Sequence, residues 1–451
     1  MKYLALLLPI FITTCQTDSD YLFELVVPES VGISHINQLN YTEEMNVYTF
    51  RNFYNGAGIG VGDFNNDGYE DLFFAGNQVN NTLYLNKGDW TFLDISEKSG
   101  VESKNVWTTG VSVVDINGDG WLDIYLCKSG DLKGDNRHNE LFINQGISEE
   151  IDGIQVVTFL EKSKQFGIDD IGLATHAAFF DFDLDGDLDL YLLNNSFRSI
   201  GNYDLRPDQR NIRDTSGGNK LLKNLSIEFP GKTPVFEDVS EYAGIYGSAI
   251  GFGLGVTVGD VNNDMYPDIY VSNDFFEKDY IYINQKNGTF KESSDEMLAE
   301  MSLGSMGADL ADINNDGWTD IFVTEMLPFE ESRLKTKSSF ENWNKYQMNI
   351  KNGYHRQFSR NALQINQGGK QFSEIGRYAG VDATDWSWGA LISDLDLDGN
   401  KDIYVANGIF KDLLDQDYIK IYSNPDEVRK ILFEKKAGID GLVDIIPSQP
   451  I

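Results

Sequence analysis

This chain is short of several residue types, and each shortage excludes something. Among its 451 residues are two cysteines, ten prolines and four histidines, and 36 Lys and Arg stand against 71 Asp and Glu, a net charge of −35. Two cysteines cannot build the disulfide framework that staples small exported domains. The deficit of basic side chains excludes binding to a nucleic-acid backbone by bulk electrostatics and argues against electrostatic docking on anionic lipid. His35, His138, His176 and His355 lie in no recognised catalytic motif. Long apolar runs are missing beyond the N-terminus. What is plentiful is glycine, 43 residues, which favours many tight turns, and a 41% hydrophobic, 13% aromatic composition that excludes a disordered chain. The length fits about two to three ordinary domains or one large all-β domain.

Residues 1–15, MKYLALLLPIFITTC, carry Lys2 and then a short apolar stretch from Leu4 to Ile12. That stretch is too short to span a bilayer, which needs about 20 apolar residues. Ile12-Thr13-Thr14-Cys15 resembles a bacterial lipobox, with Thr14 where Gly or Ala is commoner. The resemblance implies cleavage before Cys15 and lipidation of its thiol; an ordinary secretory signal cut near the same place is the alternative. Residues 16–21 form an acidic tether similar to those of Bacteroidetes surface lipoproteins. The expected location is therefore exported and lipid-anchored, at the outer membrane or surface of a Bacteroidetes-like cell. The membrane is met through the anchor alone. Cys127, in the apolar run Ile124–Cys127, reads as a buried packing residue.

One acidic pattern recurs six times, Asp-x-(Asp/Asn)-x-Asp-Gly-x-x-Asp. Its ligand positions are Asp63, Asn65, Asp67 and Asp71; Asp115, Asn117, Asp119 and Asp123; Asp181, Asp183, Asp185 and Asp189. The later copies are Asp260, Asn262, Asp264 and Asp268; Asp312, Asn314, Asp316 and Asp320; Asp394, Asp396, Asp398 and Asp402. Oxygens at positions 1, 3 and 5 converge when a chain curls around a hard cation, a sharp turn follows at position 6, and the carboxylate at position 9 closes the cage. Glycine suits position 6 because positive φ costs it little; the fourth copy has Met265 there instead. Short strands flank each loop where an EF-hand would have helices. Metal-free Asp-rich turns are the plainer alternative, but they leave three or four carboxylates crowded together. The set points to up to six Ca²⁺ ions. Twenty aspartates occupy ligand positions, so six such ions would offset 12 of the negative charges.

A small-residue run precedes each loop (Gly56 to Gly62 before Asp63), and a β-branched or aromatic run follows (Leu72–Ala75, Ile124–Cys127, Leu190–Leu193). Two further strands follow in most units, such as Asn81–Asn86 and Thr91–Ile95. The first aspartates are spaced by 52, 66, 79, 52 and 82 residues, so a blade of about 52 residues with insertions fits the chain. Gly58, Gly60 and Gly62 then belong to a close-packed inner strand, not to a dinucleotide loop. His176 reads as structural, near a ring axis.

These loops and strands resemble FG-GAP/VCBS repeats, as in integrin α-subunit propellers, and more closely those of bacterial VCBS-repeat lipoproteins of the ASPIC/UnbV and cartilage-acidic-protein-like families. The resemblance spans roughly residues 20–446. It implies an all-β, calcium-stabilised β-propeller, usually seven-bladed and here of about six units, used for binding at cell surfaces. The propeller is expected over 22–409 and a short helical segment over 410–451, where Asn424-Pro425-Asp426-Glu427 reads as a helix start. Phe23–Val26 is expected to be an outer strand that clasps the ring. The sixth unit lacks a third and fourth strand, so a truncated chain with incomplete closure is expected.

Insertions at about 129–138, 197–219 and 328–360 interrupt the units. The last two bring Arg206, Arg210, Trp343, Tyr346, Tyr354 and Arg356, a candidate ligand surface of aromatic and basic side chains on loops. The alternative is that these groups pack and neutralise the insertions themselves. The expected partner is an extracellular glycan or a cell-surface protein. A polysaccharide lyase or hydrolase built on the same scaffold is the rival reading.

Overall fold

The computed structural model describes residues 22–103, 107–130, 137–196, 206–232, 235–337, 343–434 and 438–448. Cys15, the leader and the tether lie outside these residues, as do Arg198, Tyr203 and Phe340 of the insertions. Among the described residues, five four-stranded antiparallel sheets and two two-stranded sheets carry the architecture. Unit one comprises Ile59–Gly62, Asp71–Phe74, Thr82–Asn86 and Phe92–Asp94 (β1–β4), and unit two Thr108–Val114, Asp123–Lys128, Glu140–Ile151 and Ile154–Glu161 (β5–β8). Unit three is Leu173–Phe180, Asp189–Asn195, Lys220–Asn224 and Phe236–Asp238 (β9–β12); unit four is Gly253–Gly259, Asp268–Asn273, Tyr280–Asn284 and Phe290–Glu292 (β13–β16). A short strand, Met301–Ser302 (β17), pairs in parallel with Gln357–Phe358 (β20). Unit five is Ala308–Ala311 (β18), Asp320–Val323 (β19), Ala362–Asn366 (β21) and Phe372–Glu374 (β22), and unit six is Ser387–Ser393 and Asp402–Asn407 (β23, β24).

The inner strands β1, β5, β9, β13, β18 and β23 lie side by side in chain order, the arrangement of propeller blades. The second strands read as unbroken apolar runs because sheets cover both of their faces. Every residue of β6, β10 and β14 is buried. The core is accordingly a series of layers between adjacent units. Phe73, Leu83 and Leu85 meet Ile124, Leu126 and Phe142, and comparable layers join each later pair. Glycine in β1 follows from this packing. A Cβ on Gly60 would lie 2.8 Å from Val113 Cγ2, and one on Gly58 2.8 Å from the Val111 backbone nitrogen.

Two blade strands escaped the sequence reading. Lys220–Asn224 is the third strand of unit three, and Ile154–Glu161 is the outer strand of unit two. Lysines at 220 and 223 disguise the first, and a long hairpin displaces the second. The expected clasp strand at Phe23–Val26 does not form. Instead the Phe23 ring packs edge-on against Tyr404 of β24, at 6.3 Å between centroids. A turn over Pro28–Val31 follows, capped by left-handed Gly32. The Ser34 N–H then donates to the Tyr84 hydroxyl, as the Tyr246 N–H donates to Tyr282 in unit four. This segment thus supplies the turn of a preceding blade without its strand pairing.

At the face away from the acidic loops, residues 47–54 pack with C-terminal helices in a cluster that includes Phe50, Phe53, Trp107, Tyr418 and Ile446. The Tyr48 hydroxyl donates to the Leu442 carbonyl, and its ring stacks on Tyr422 at 5.1 Å. The helix Pro425–Arg429 starts as its sequence predicts, with the Asn424 side chain accepting from the Asp426 N–H. Among the described residues, no helix is long and apolar enough to cross a membrane.

Candidate metal loops and ligand surface

Each acidic loop joins an inner strand to a second strand, so all six lie at one end of the sheets. Their internal geometry repeats. The position 1 carboxylate accepts from the backbone N–H groups of positions 5 and 6: Asp67 N and Gly68 N reach Asp63 at 3.0 and 2.7 Å. The same pair of bonds closes the loops at Asp115, Asp181, Asp260, Asp312 and Asp394. Met265 therefore makes the turn that glycine makes elsewhere, at a φ of 70°. Position 4 is also left-handed in every copy, at Asn66, Gly118, Leu184, Asn263, Asn315 and Leu397. Sequence reasoning missed this, although Asn or Gly in four of the six copies was the available signal.

The position 9 carboxylate is the buried anchor. Asp71 accepts from Phe64 N at 2.9 Å and from Asn86 N, on the third strand, at 2.8 Å. Asn144, Asn224, Asn284 and Asn366 give the equivalent bond to Asp123, Asp189, Asp268 and Asp320. Burial pushes these carboxyls up, to about 7 for Asp71, Asp123 and Asp268 and about 8 for Asp189, against the pull of the two N–H donors. Neighbouring aspartates of the same loop push the same way. Unit six differs: Asp402 accepts from Leu395 N, and β24 has no third strand beside it among the described residues.

The donor set suits a hard cation. Ligand oxygens of Asp181, Asp183 and Asp189 lie within 4.8 Å of one another, as do those of Asp394, Asp396 and Asp398. Among the described residues, Asp183 Oδ1 and Asn262 Oδ1 are buried without a hydrogen-bond partner, which costs stability unless a cation meets them. The loop of unit three has a competitor. Lys223 Nζ sits 2.5 Å from Asp183 and 3.3 Å from Asp185. Neighbouring loops are also tied together. Asn144 Nδ2 donates to the Phe64 carbonyl, Asn284 Nδ2 to Phe182 and Asn366 Nδ2 to Val261, each reaching a loop of an earlier unit.

The six residues of the candidate ligand surface separate into two groups. Tyr354 is buried; its hydroxyl donates to the Arg206 carbonyl, and the Arg210 guanidinium stacks on its ring. Arg210 also pairs with buried Glu277 at 2.5 Å and donates to the Gly353 carbonyl. These contacts hold the two insertions together. Trp343 and Tyr346, on the helix Trp343–Lys351, and exposed Arg356 instead line a surface groove of about 500 Å³ that ends at Phe358. Ring centroids step from Trp343 to Tyr346 at 5.4 Å and on to Phe358 at 5.7 Å.

The other singled-out side chains are structural. His176, in β9, is half-buried, and desolvation lowers its pKa. Cys127 is a buried free thiol whose burial pushes it well above the ordinary range.

Residues 42–126 and 260–323 match the FG-GAP-like repeat family. The chain is 31% identical over 143 residues to cartilage acidic protein 1 of Xenopus tropicalis, covering 32% of this chain and 20% of that protein. It is 25% identical over 220 residues to the Homo sapiens protein of the same name, covering 48% and 28%. The matched part thus spans under a third of these relatives' length. Solved structures that align include the V. cholerae biofilm matrix protein Bap1 (11% identity, TM-score 0.34, 75% of this chain and 41% of that one). Another is Trypanosoma rangeli sialidase in complex with sialic acid (11%, TM-score 0.36, 82% and 57%). FG-GAP-like repeats thus match the chain over residues 42–126 and 260–323, within the same loops and four-stranded units, and part of the chain is similar in sequence to cartilage acidic protein 1.

Proposed function

We propose that the chain is a calcium-binding β-propeller, lipid-anchored through Cys15 at a bacterial cell surface, that acts as a binding module for an extracellular glycan or a cell-surface protein. The observation that carries the calcium reading is the sixfold repetition of one carboxylate-lined curl, with buried oxygens at Asp183 and Asn262 left without donors. Positions 1, 3, 5 and 9 of each loop would hold the ion. Its positive charge would hold the buried ninth carboxyl ionised and fix the turn between the first two strands. Support for the binding role comes from the exposed Trp343, half-buried Tyr346 and Arg356 on an insertion over this scaffold.

The test is a melt of the protein with and without a chelator, followed by binding of the calcium-loaded protein to an array of glycans. A melting temperature that ignores chelation sinks the calcium reading. Binding that survives Trp343→Ala with Tyr346→Ala sinks the assignment of this surface.

A further inference from the structure

At the end of the sheets opposite the acidic loops lies a cavity of about 700 Å³. Such a volume is within the roughly 300–1,000 Å³ of small-molecule sites. Its wall is built from residues that follow second strands, among them Asp274 after β14 and Glu325 after β19, and from Trp386 and Trp388 at the start of β23. The two carboxylates converge: a Cβ on Gly304 would lie 3.1 Å from Asp274 Oδ1 and 3.5 Å from Glu325 Oε1. Neither belongs to an acidic loop.

Three buried polar atoms of residues in this wall have no hydrogen-bond partner among the described residues. Glu325 Oε2 and Asn52 Oδ1 are acceptors, and Trp386 Nε1 is a donor. Glu325 is only 3% exposed, and its other oxygen already accepts from Ser359 Oγ at 2.9 Å. Orphaned groups of both kinds around one cavity select the ligand. An ammonium only donates, and a carboxylate or sulfate only accepts, so either leaves one kind unmet. A sugar ring does both, and its C–H faces match the tilted pair Trp386 and Trp388, 6.3 Å apart. Burial pushes Asp274 up to about 6 and Glu325 to about 7, so near neutral pH the pair offers a proton as well as lone pairs. Phe358 lines this cavity and also the groove that holds Tyr346 and Trp343.

We propose that this cavity seats the terminal unit of a neutral oligosaccharide, whose next units run out over Phe358 onto Tyr346 and Trp343. The inference rests on the glycan form of the binding role above and says where that glycan ends.

The experiment uses the calcium-loaded protein, a panel of neutral tri- to hexasaccharides beside sulfated and uronate-containing ones, and calorimetric titration of the best binder. Glu325→Gln and Trp386→Phe are each expected to weaken binding about tenfold or more. Trp90→Ala, at a distant and 78% exposed position, leaves it unchanged. Glu325→Gln keeps the volume and removes a buried charge, so the melting temperature holds or rises and a folding defect is separable. A bound neutral oligosaccharide that ignores both cavity variants overturns the cavity and leaves glycan binding standing. Preference for acidic or cationic ligands overturns the neutral class. No glycan bound, with a protein ligand bound instead, overturns the glycan role and the cavity with it.

Discussion

Replacing Asn284 by alanine tests how one unit is fastened to the next. Asn284 is 3% exposed and closes β15. Its Nδ2 donates to the Phe182 carbonyl of the preceding unit's loop at 2.7 Å and to the Pro267 carbonyl at 3.3 Å, while its Oδ1 accepts from Lys286 N at 2.8 Å. Alanine keeps the backbone bond to Asp268 and removes all three side-chain bonds. The Phe182 carbonyl is deeply enclosed and loses its partner, which costs about 1–3 kcal/mol; the two half-exposed groups recover water and add about 1 kcal/mol. The sum is about 2–4 kcal/mol. For 451 residues the unfolding entropy is roughly 0.9 kcal/mol/K, so the melting temperature falls by about 2–4 °C. Urea unfolding of the variant beside Gln285→Ala, a neighbour on the exposed end of the same hairpin, is the assay. Equal stability of the two variants would refute the interlock between units.

Three further outcomes are expected. In chelator, the folded-state carboxyls of Asp71, Asp123 and Asp268 titrate at about 7, above the unfolded value of about 3.9, so the folded chain holds protons that the unfolded chain has released. Metal-free stability therefore falls as pH rises from about 4 to 7, and calcium restores more at pH 7.5 than at pH 5.5; equal melting at both pH values without metal contradicts this. Met265→Gly relieves a left-handed, 83% exposed side chain and raises stability by about 1 kcal/mol, seen as a higher urea midpoint; a lower midpoint refutes the strain. Lys223→Met removes the amine that competes at Asp183 and Asp185, so the unit-three loop gains calcium affinity in a titration; an unchanged isotherm refutes the competition.

Much of the fold was legible because its signals are local and repeated. Asp63 to Asp71 states its turn chemistry in nine consecutive residues, and five more copies set the register of the strands around them. Asn86 and its four counterparts were visible as strand ends, but their role was not, because their bonds run to an aspartate of their own unit and, for three of them, to the loop of an earlier one. Phe23–Val26 reads as a strand by pattern and fails to become one, since pairing needs a neighbour that composition does not reveal. Of the basic and aromatic insertion residues, sequence could not separate Tyr354, which packs inward, from Trp343, which faces solvent. Glu325 and Asp274 were silent for a different reason. They follow second strands at places where other units carry Gly76, Ser129 or Asn195, and only the side-by-side inner strands gather them around one cavity.

The most direct measurement is a calorimetric melt of the full chain in 1 mM calcium, in magnesium and in chelator, paired with metal analysis of the protein at dialysis equilibrium with about 1 mM calcium. Extracellular calcium modules bind at about 10⁻⁴–10⁻³ M, so each loop contributes roughly 0.4–1.4 kcal/mol at about millimolar calcium. Six loops then give about 2–8 kcal/mol, or a rise of roughly 2–9 °C, with up to six calcium ions retained per chain and little effect of magnesium. An unchanged melt in chelator, with no calcium retained, would contradict the assignment of these loops as the fastening of the fold.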